Sequence, residues 1–214
     1  MKAKIISTAV FIIVAYMLPL IGKIELLPTA QVALLTVFVI VMFVTQPPIT
    51  IEGAKEDKQS DRNSVLFILL GFLIGQQATV IEWAYFSGYH TWIWDGRTIA
   101  GLCLMAGGTI FRVWCIRTLG KFFTATVKTQ KEQHVITSGA YRVVRHPSYS
   151  GAYIAAIGST VFMHTWVALA VTVVVLFIAY YIRINAEEET LVREFGDEYR
   201  EYRKRTWKLV PYIY

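Results

Sequence analysis

Long apolar stretches alternate along the chain with short polar ones, on the length scale of whole helices. The apolar runs occupy about residues 5–21, 29–45, 65–86, 98–117, 148–164 and 166–183. A helix that crosses a bilayer needs about 20 mainly apolar residues, or about 17 at the short end. The pattern therefore predicts an all-α protein with six transmembrane helices. Because the last two runs are joined only by residues 164–166, we expect them to form a tight helical hairpin.

The composition agrees with a location in a membrane. Of the 214 residues, 55% are hydrophobic and only 17% are charged, which is typical of an integral membrane protein. The formal net charge is +6, but the lysines and arginines lie in loops and in the tail, which favours anionic lipid headgroups over nucleic acid as partners. The two cysteines, Cys103 and Cys115, lie in one apolar run and provide neither a disulfide framework nor a metal site.

The positive charges are distributed unequally between the two sides of the predicted bundle. An even number of transmembrane helices places both termini on one side, together with the loops at residues 46–64 and 118–147. That side carries nearly all lysines and arginines, whereas the opposite loops carry only Lys23 and Arg97. The positive-inside rule therefore predicts that both termini and the longer polar loops are cytoplasmic.

Residues 134–153, which read HVITSGAYRVVRHPSYSGAY, form a polar segment in this apolar chain. Pro147 suits the first turn of a helix and disfavours the α conformation for His146, so His146 is predicted to lie where a helix begins. The free N–H groups of a helix start favour a carboxylate or phosphate, and Arg145 adds a fixed cation. Three tyrosines add aromatic faces suited to an onium group: Tyr141, Tyr149 and Tyr153. A small zwitterion with a further positive charge fits this set.

In the C-terminal segment, charged, apolar and aromatic residues recur every four positions. They are Arg183, Glu187, Leu191, Phe195 and Tyr199. On one helix continuing out of the last transmembrane run, these residues share a face. Arg183 and Glu187 then lie opposite the polar segment, where they act either as functional groups or as a simple i,i+4 ion pair.

Short motifs follow one another over residues 119–211. They are Leu119-Gly120 with Phe123-Thr124, the run from Val135 to Tyr141, the run from Arg145 to Gly151, Arg183 with Glu187-Glu188 and Leu191, and the run from Phe195 to Tyr199 with Tyr202 and Pro211. In their order and spacing these motifs resemble the isoprenylcysteine carboxyl methyltransferase family and the related membrane phospholipid methyltransferases.

The resemblance implies methyl transfer from S-adenosylmethionine to a lipid-borne acceptor at the cytoplasmic membrane face. It divides the chain into four transmembrane helices without a family signature, residues 1–117, and a methyltransferase core, residues 118–214. That core contains a cytoplasmic cofactor-binding loop, the helical hairpin and a cytoplasmic C-terminal helix. The resemblance also implies that Arg183 and Glu187 are the residues nearest the chemistry. The implied cofactor-binding residues are His134, Val135, Gly139, Tyr141, Arg145, His146, Tyr149, Glu187 and Glu188.

The identity of the acceptor is open at this level. Methyl transfer to a carboxylate needs no base, and Arg183 could orient that carboxylate with two N–H groups. The motifs favour such carboxyl O-methylation of an isoprenylated cysteine. An amine acceptor, as in phospholipid N-methylation, would need Glu187 or His146 as a base. Another small membrane-soluble acid or thiol is a further possible acceptor. Two further alternatives are an NADPH-dependent membrane reductase of the sterol type, for which there is no second basic pocket beyond Arg142 and Arg145, and a non-catalytic membrane scaffold.

Overall fold

A computed structural model describes residues 2–46, 64–123 and 134–212. Parts of the two loops predicted to be cytoplasmic, residues 47–63 and 124–133, lie outside these ranges. The described residues contain seven α-helices. They are α1 (Lys2–Ile12), α2 (Ala30–Thr45), α3 (Ser64–Glu82), α4 (Gly96–Leu119), α5 (Pro147–Phe162), α6 (Trp166–Phe195) and α7 (Asp197–Arg205).

Helices stand where the apolar runs predict them. Three helical segments are long and apolar enough to cross a bilayer by themselves: Ser64–Ser87, Gly96–Phe122 and Trp166–Phe195. α2 and the segment Lys4–Met17 are apolar but shorter. Large aliphatic and aromatic side chains such as Ile5, Ile110 and Val167 are more than 60% exposed, as expected for surfaces that face lipid. The chain is therefore an integral membrane protein with a helical fold, and the count of six transmembrane helices stays a prediction.

Glycines bring α4 and α5 into direct backbone contact. A Cβ atom at Gly108 would lie 2.6 Å from the Ala155 nitrogen, and one at Gly151 would lie 2.8 Å from the Gly108 oxygen. Real side chains do not fit at such distances, so only glycine permits this close approach. The neighbouring Gly107 faces open space instead.

The hairpin of α5 and α6 forms as predicted, and Glu82 holds its second helix. α5 ends at Phe162 and α6 begins at Trp166. The Glu82 carboxylate accepts hydrogen bonds from the backbone N–H groups of Trp166 at 2.9 Å and Ala168 at 2.6 Å. A carboxylate at a helix N-terminus satisfies N–H groups that have no partner within the helix. Glu82 therefore connects the end of α3 to the start of α6.

The prediction of one continuous C-terminal helix is wrong at Gly196. α6 ends at Phe195, and Gly196 takes a left-handed conformation with φ +56° before α7 begins. The chain then returns to the polar segment, where the Arg145 N–H donates to the Trp207 carbonyl at 2.8 Å. Tyr199 thus belongs to a second helix rather than to the face of α6 that carries Glu187.

Candidate active site

His146 begins α5 as the sequence predicts, but the backbone around it is already engaged. It lies at the N-cap with Pro147 in the first helical position, and its side chain is 4% exposed. The His146 N–H donates to the Lys208 carbonyl at 3.1 Å, and the N–H groups of Tyr149 and Ser150 donate to the His146 carbonyl. The expected seat for an anion on free N–H groups is therefore occupied by the protein's own carbonyl oxygens.

Glu188 is the centre of a buried charge cluster. Its Oε1 lies 2.6 Å from Arg145 Nε and 3.4 Å from His146 Nε2, and its Oε2 lies 3.4 Å from Arg203 Nε. Arg145 also donates to the backbone carbonyls of Arg203 and Thr206. Because the Arg145 and Glu188 side chains are only 6% and 5% exposed, each depends on its partner to compensate for lost hydration. This cluster fastens the returning C-terminal segment to the start of α5.

Glu187 and Arg183 form a long i,i+4 ion pair, and a tyrosine hydroxyl joins them through shorter contacts. The Tyr149 hydroxyl donates to Glu187 Oε2 at 2.8 Å and accepts from Arg183 Nε at 3.1 Å. The direct separation of Arg183 Nε from Glu187 Oε2 is 3.7 Å. Arg183 Nη1 also donates to Ser64 Oγ at 3.0 Å, at the start of α3. The Arg183 side chain is 4% exposed and that of Glu187 is 25% exposed, so the glutamate is the more open of the two, and it faces an open space.

That open space is a polar cavity of about 540 Å³. It contains most of the side chains that the sequence assigns to a cofactor site. The lining residues are Leu119, Phe122, His134, Val135, Ile136, Tyr141, Arg145, His146, Glu187, Leu191, Phe195, Tyr199 and Tyr202. The Val135 N–H donates to Glu198 of α7 at 3.4 Å, which ties the wall at residues 134–136 to the C-terminal segment.

Three residues of the predicted cofactor set do not line this cavity. Gly139 has φ +59° and sets the turn before Tyr141, with Trp114 close beside it. Glu188 lies in the charge cluster. Tyr149 stacks between the rings of His146 and Tyr180. These residues shape and support the cavity rather than face it.

The aromatic walls differ from the expected trio. Tyr153 is directed elsewhere, since its hydroxyl donates to the Val173 carbonyl at 2.8 Å. Tyr141 is joined instead by Tyr199 and Tyr202, and the Tyr202 hydroxyl donates to the Tyr141 carbonyl at 2.6 Å. Burial raises the pKa of all three phenols, so these walls stay neutral at physiological pH.

A second, apolar cavity of about 830 Å³ lies on the other side of Tyr149. Faces of α2 to α6 form it, and its only charged side chains among the described residues are two arginines. The lining residues are Met42, Phe43, Gln46, Val65, Ile68, Leu69, Phe72, Arg112, Phe123, Tyr149, Ala152, Tyr180 and Arg183. The two cavities therefore meet where Glu187, Tyr149 and Arg183 touch.

Sequence reasoning missed Arg112, and it did not assign the two tail tyrosines, Tyr199 and Tyr202, to the cofactor site. Arg112 is only 2% exposed within α4. An arginine inside an apolar run is itself a signal of function, because a charge at membrane depth is rare and needs a partner. Tyr199 and Tyr202 belong to the motifs of the resemblance, but nothing local places them at the cavity, since their position depends on the turn at Gly196.

The chain is similar to known proteins of one family. The model of the isoprenylcysteine carboxyl methyltransferase family matches residues 99–193. Protein-S-isoprenylcysteine O-methyltransferase B of Arabidopsis thaliana is 32% identical over 169 residues, which cover 77% of this chain and 84% of that relative. The chain belongs to the isoprenylcysteine carboxyl methyltransferase family. The matched residues run from the start of α4 to beyond Glu188 and include side chains of both cavities.

Other members of the isoprenylcysteine carboxyl methyltransferase family agree. Protein-S-isoprenylcysteine O-methyltransferase of Schizosaccharomyces pombe is 35% identical over 130 residues, or 60% of this chain and 52% of that protein. A solved structure described as the eukaryotic intramembrane Ras methyltransferase of this family has a TM-score of 0.56 and 20% identity. It matches 96% of this chain and 75% of its own. The fold is thus that of the family along nearly the whole chain, including α1 and α2, for which the sequence offers no motif.

Proposed function

We propose that this membrane methyltransferase transfers a methyl group from S-adenosylmethionine to the carboxylate of an isoprenylated cysteine. The observation that carries the proposal is the meeting of two unlike cavities at Glu187, Tyr149 and Arg183. One cavity is polar and walled by aromatic rings, as a charged donor requires. The other is apolar and suits an isoprenoid chain.

The polar cavity fits the methyl donor. S-adenosylmethionine supplies an activated methyl group on a sulfonium cation and also carries an amino-acid end. Aromatic faces from Tyr141, Tyr199 and Tyr202 favour a cation, and Glu187 offers the only acidic side chain that lines this cavity in the described part of the chain. We assign donor contact to His134, Val135 and His146 as well. Gly139, Arg145, Tyr149 and Glu188 hold these side chains in place.

The apolar cavity fits the acceptor, and Arg183 at its border orients the reacting group. A carboxylate is already ionised at neutral pH, so its methylation requires positioning rather than a general base. Arg183 can present two N–H groups to such a carboxylate. The Tyr149 hydroxyl and Glu187 hold Arg183 in one orientation, and the surrounding apolar side chains exclude water from the reacting atoms.

The topology follows from the charges. We propose that six helices cross the bilayer, with both termini and the polar cavity on the cytoplasmic side, where nearly all lysines and arginines outside the apolar runs lie. Residues 1–117 then contribute four of the six helices and residues 118–214 the catalytic core. Accessibility of single introduced cysteines to a membrane-impermeant reagent tests this arrangement: labelling near Lys23 from the cytoplasmic side would contradict it.

The function itself is tested by transfer of labelled methyl groups. Purified protein in lipid nanodiscs is given labelled S-adenosylmethionine with a panel of prenylcysteines, phosphatidylethanolamine and lipophilic thiols. We expect label in the base-labile methyl ester of the prenylcysteine. Label in the phospholipid fraction alone would refute the carboxyl acceptor, and binding of NADPH without binding of S-adenosylmethionine would refute methyl transfer.

A further inference from the structure

Arg112 is a buried cation whose hydrogen-bonding capacity is only partly used. Its Nη1 donates to the Ser148 carbonyl at 2.8 Å, at the first turn of α5. Its Nε is buried and has no hydrogen-bond partner among the described residues. An unsatisfied charged donor in an apolar environment is costly, so a residue of this kind is retained where a further ligand completes its contacts.

The position of Arg112 indicates which ligand that is. Arg112 and Arg183 line the same apolar cavity, whose described lining contains no aspartate or glutamate. Two cations around one low-dielectric space destabilise each other, and an anion placed there relieves that repulsion. The same two charges oppose entry of a cationic headgroup. The cavity is therefore built for a lipid-like molecule with an acidic end.

We infer that Arg112 is a specificity-determining residue that binds the acidic end of the acceptor together with Arg183, and so selects a carboxylate over an amine. This inference rests on the proposed function but goes beyond it, because it assigns acceptor selection to a residue in α4 outside the Arg183, Tyr149 and Glu187 contacts. A planar guanidinium that already uses one N–H group on Ser148 can offer its remaining donors to a carboxylate oxygen.

The experiment compares two ligands of nearly the same shape, one with an anionic carboxylate and one with a neutral carboxamide. N-acetyl-S-farnesylcysteine and its neutral carboxamide are titrated into the full-length protein in nanodiscs, with S-adenosylhomocysteine present so that no turnover occurs. The variants are Arg112→Gln, which keeps an N–H donor for the Ser148 carbonyl, and Arg117→Gln, an exposed arginine of the same helix that lines neither cavity. Affinity for S-adenosylhomocysteine is measured for each variant as a check of the fold.

In the unsubstituted protein and in Arg117→Gln, we expect the carboxylate to bind more tightly than the carboxamide. In Arg112→Gln this preference should fall roughly tenfold, because one charge-assisted contact is lost. Affinity for S-adenosylhomocysteine should be unchanged. A preference that stays the same, or equal weakening of both ligands, would show that Arg112 only supports the α4–α5 contact and would overturn the inference.

A second variant keeps the inference testable if Arg112→Gln does not fold. Arg112→Lys keeps the positive charge but lacks the planar fork, so it should reduce the preference by about three- to tenfold; an unchanged preference again overturns the inference. If the unsubstituted protein binds neither S-adenosylhomocysteine nor the farnesyl ligands, the proposed function itself fails. If it binds both but prefers the carboxamide, only the role of Arg112 fails.

Discussion

The two cavities meet at the same three side chains but are built in different ways. The walls of the polar cavity come from segments that are far apart in sequence, including residues 119–122, 134–146 and 199–202, and the Glu188 cluster joins those segments. The apolar cavity is formed by the faces of packed helices α2 to α6. Geometry in the first depends on a few charged contacts, whereas in the second it depends on side-chain volume. Substitutions should therefore act differently on the two sides of Tyr149.

The largest effect on the polar side should come from Glu188→Gln. This change leaves Arg145 and His146 without their shared carboxylate, and breaking a buried ion pair by removing one partner costs about 3–5 kcal/mol in the free energy of unfolding. Thermal unfolding in nanodiscs, followed by tryptophan fluorescence, measures the loss. The control is Asp197→Asn, which breaks the ion pair between Asp197 and Arg200. Their side chains are 91% and 58% exposed, so this change should have little effect on stability. Equal stability of both variants would contradict the role of the charge cluster.

The border between the cavities is tested by Glu187→Gln. Glu187 lines the polar cavity and accepts from the Tyr149 hydroxyl, so under the proposed function its charge acts directly on the bound methyl donor. We expect kcat to fall by roughly 10²–10³-fold, the usual effect of removing one preorganised electrostatic group. The matched control is Glu189→Gln, which changes an exposed glutamate next to Glu188. Full activity of Glu187→Gln in the methyl-transfer assay would leave Glu187 with a structural role only.

The apolar side should respond to added volume. Leu69→Trp places a larger side chain into the apolar cavity, and we expect KM for the farnesylated acceptor to rise by about tenfold or more while donor affinity is unchanged. Leu70→Trp changes the neighbouring residue, which is 44% exposed and lines neither cavity. If Leu69→Trp weakened donor binding instead, the separation of the two cavities would be wrong.

The bridge between the cavities is tested more finely by Tyr149→Phe. The ring and its stacking on Tyr180 remain, but the hydroxyl that connects Glu187 with Arg183 is lost. Because this buried hydrogen-bond connection is lost, we expect kcat to fall about tenfold while donor affinity is retained. Tyr153→Phe, whose hydroxyl bonds only to the backbone of α6 among the described contacts, is the control. A similar loss of kcat in both variants would point to general helix packing.

The smallest effect concerns the aromatic walls. A tyrosine in an unfolded chain ionises near pH 10, and burial raises the pKa of Tyr141, Tyr199 and Tyr202 above that value. The folded state therefore favours the protonated phenols, and stability that is constant below about pH 10 falls as the pH rises further. Between pH 9 and 10.5, Tyr141→Phe should leave the absorbance change at 295 nm unchanged. A smaller change in the variant would mean that Tyr141 ionises normally.

The sequence predicts what depends on local patterns. Apolar runs give the helices and the hairpin, Pro147 marks the start of α5, and the motifs bring His134, Tyr141, His146 and Glu187 to one cavity. The remaining features depend on contacts between distant residues. A four-residue period cannot reveal that Gly196 adopts a positive φ, and this single turn decides that tail tyrosines replace Tyr153.

The same distinction explains the other differences. Nothing local indicates that the N–H groups of Arg145 and His146 pair with carbonyl groups about 60 residues further along the chain. Arg112 illustrates the opposite case, since its charge within an apolar run marks it out in the sequence, but only the packed helices reveal that it shares a cavity with Arg183.

The contact between Glu82 and the first turn of α6 has a consequence for the reacting groups at the far end of that helix. α6 is unbroken from Trp166 to Phe195, and a rise of 1.5 Å per residue puts Arg183 roughly 26 Å from the anchored turn. A rigid rod held at one end transmits its axial position to the other. Glu82 thus fixes the axial position of α6 against α3, and with it the level at which Arg183 meets Ser64 and Tyr149.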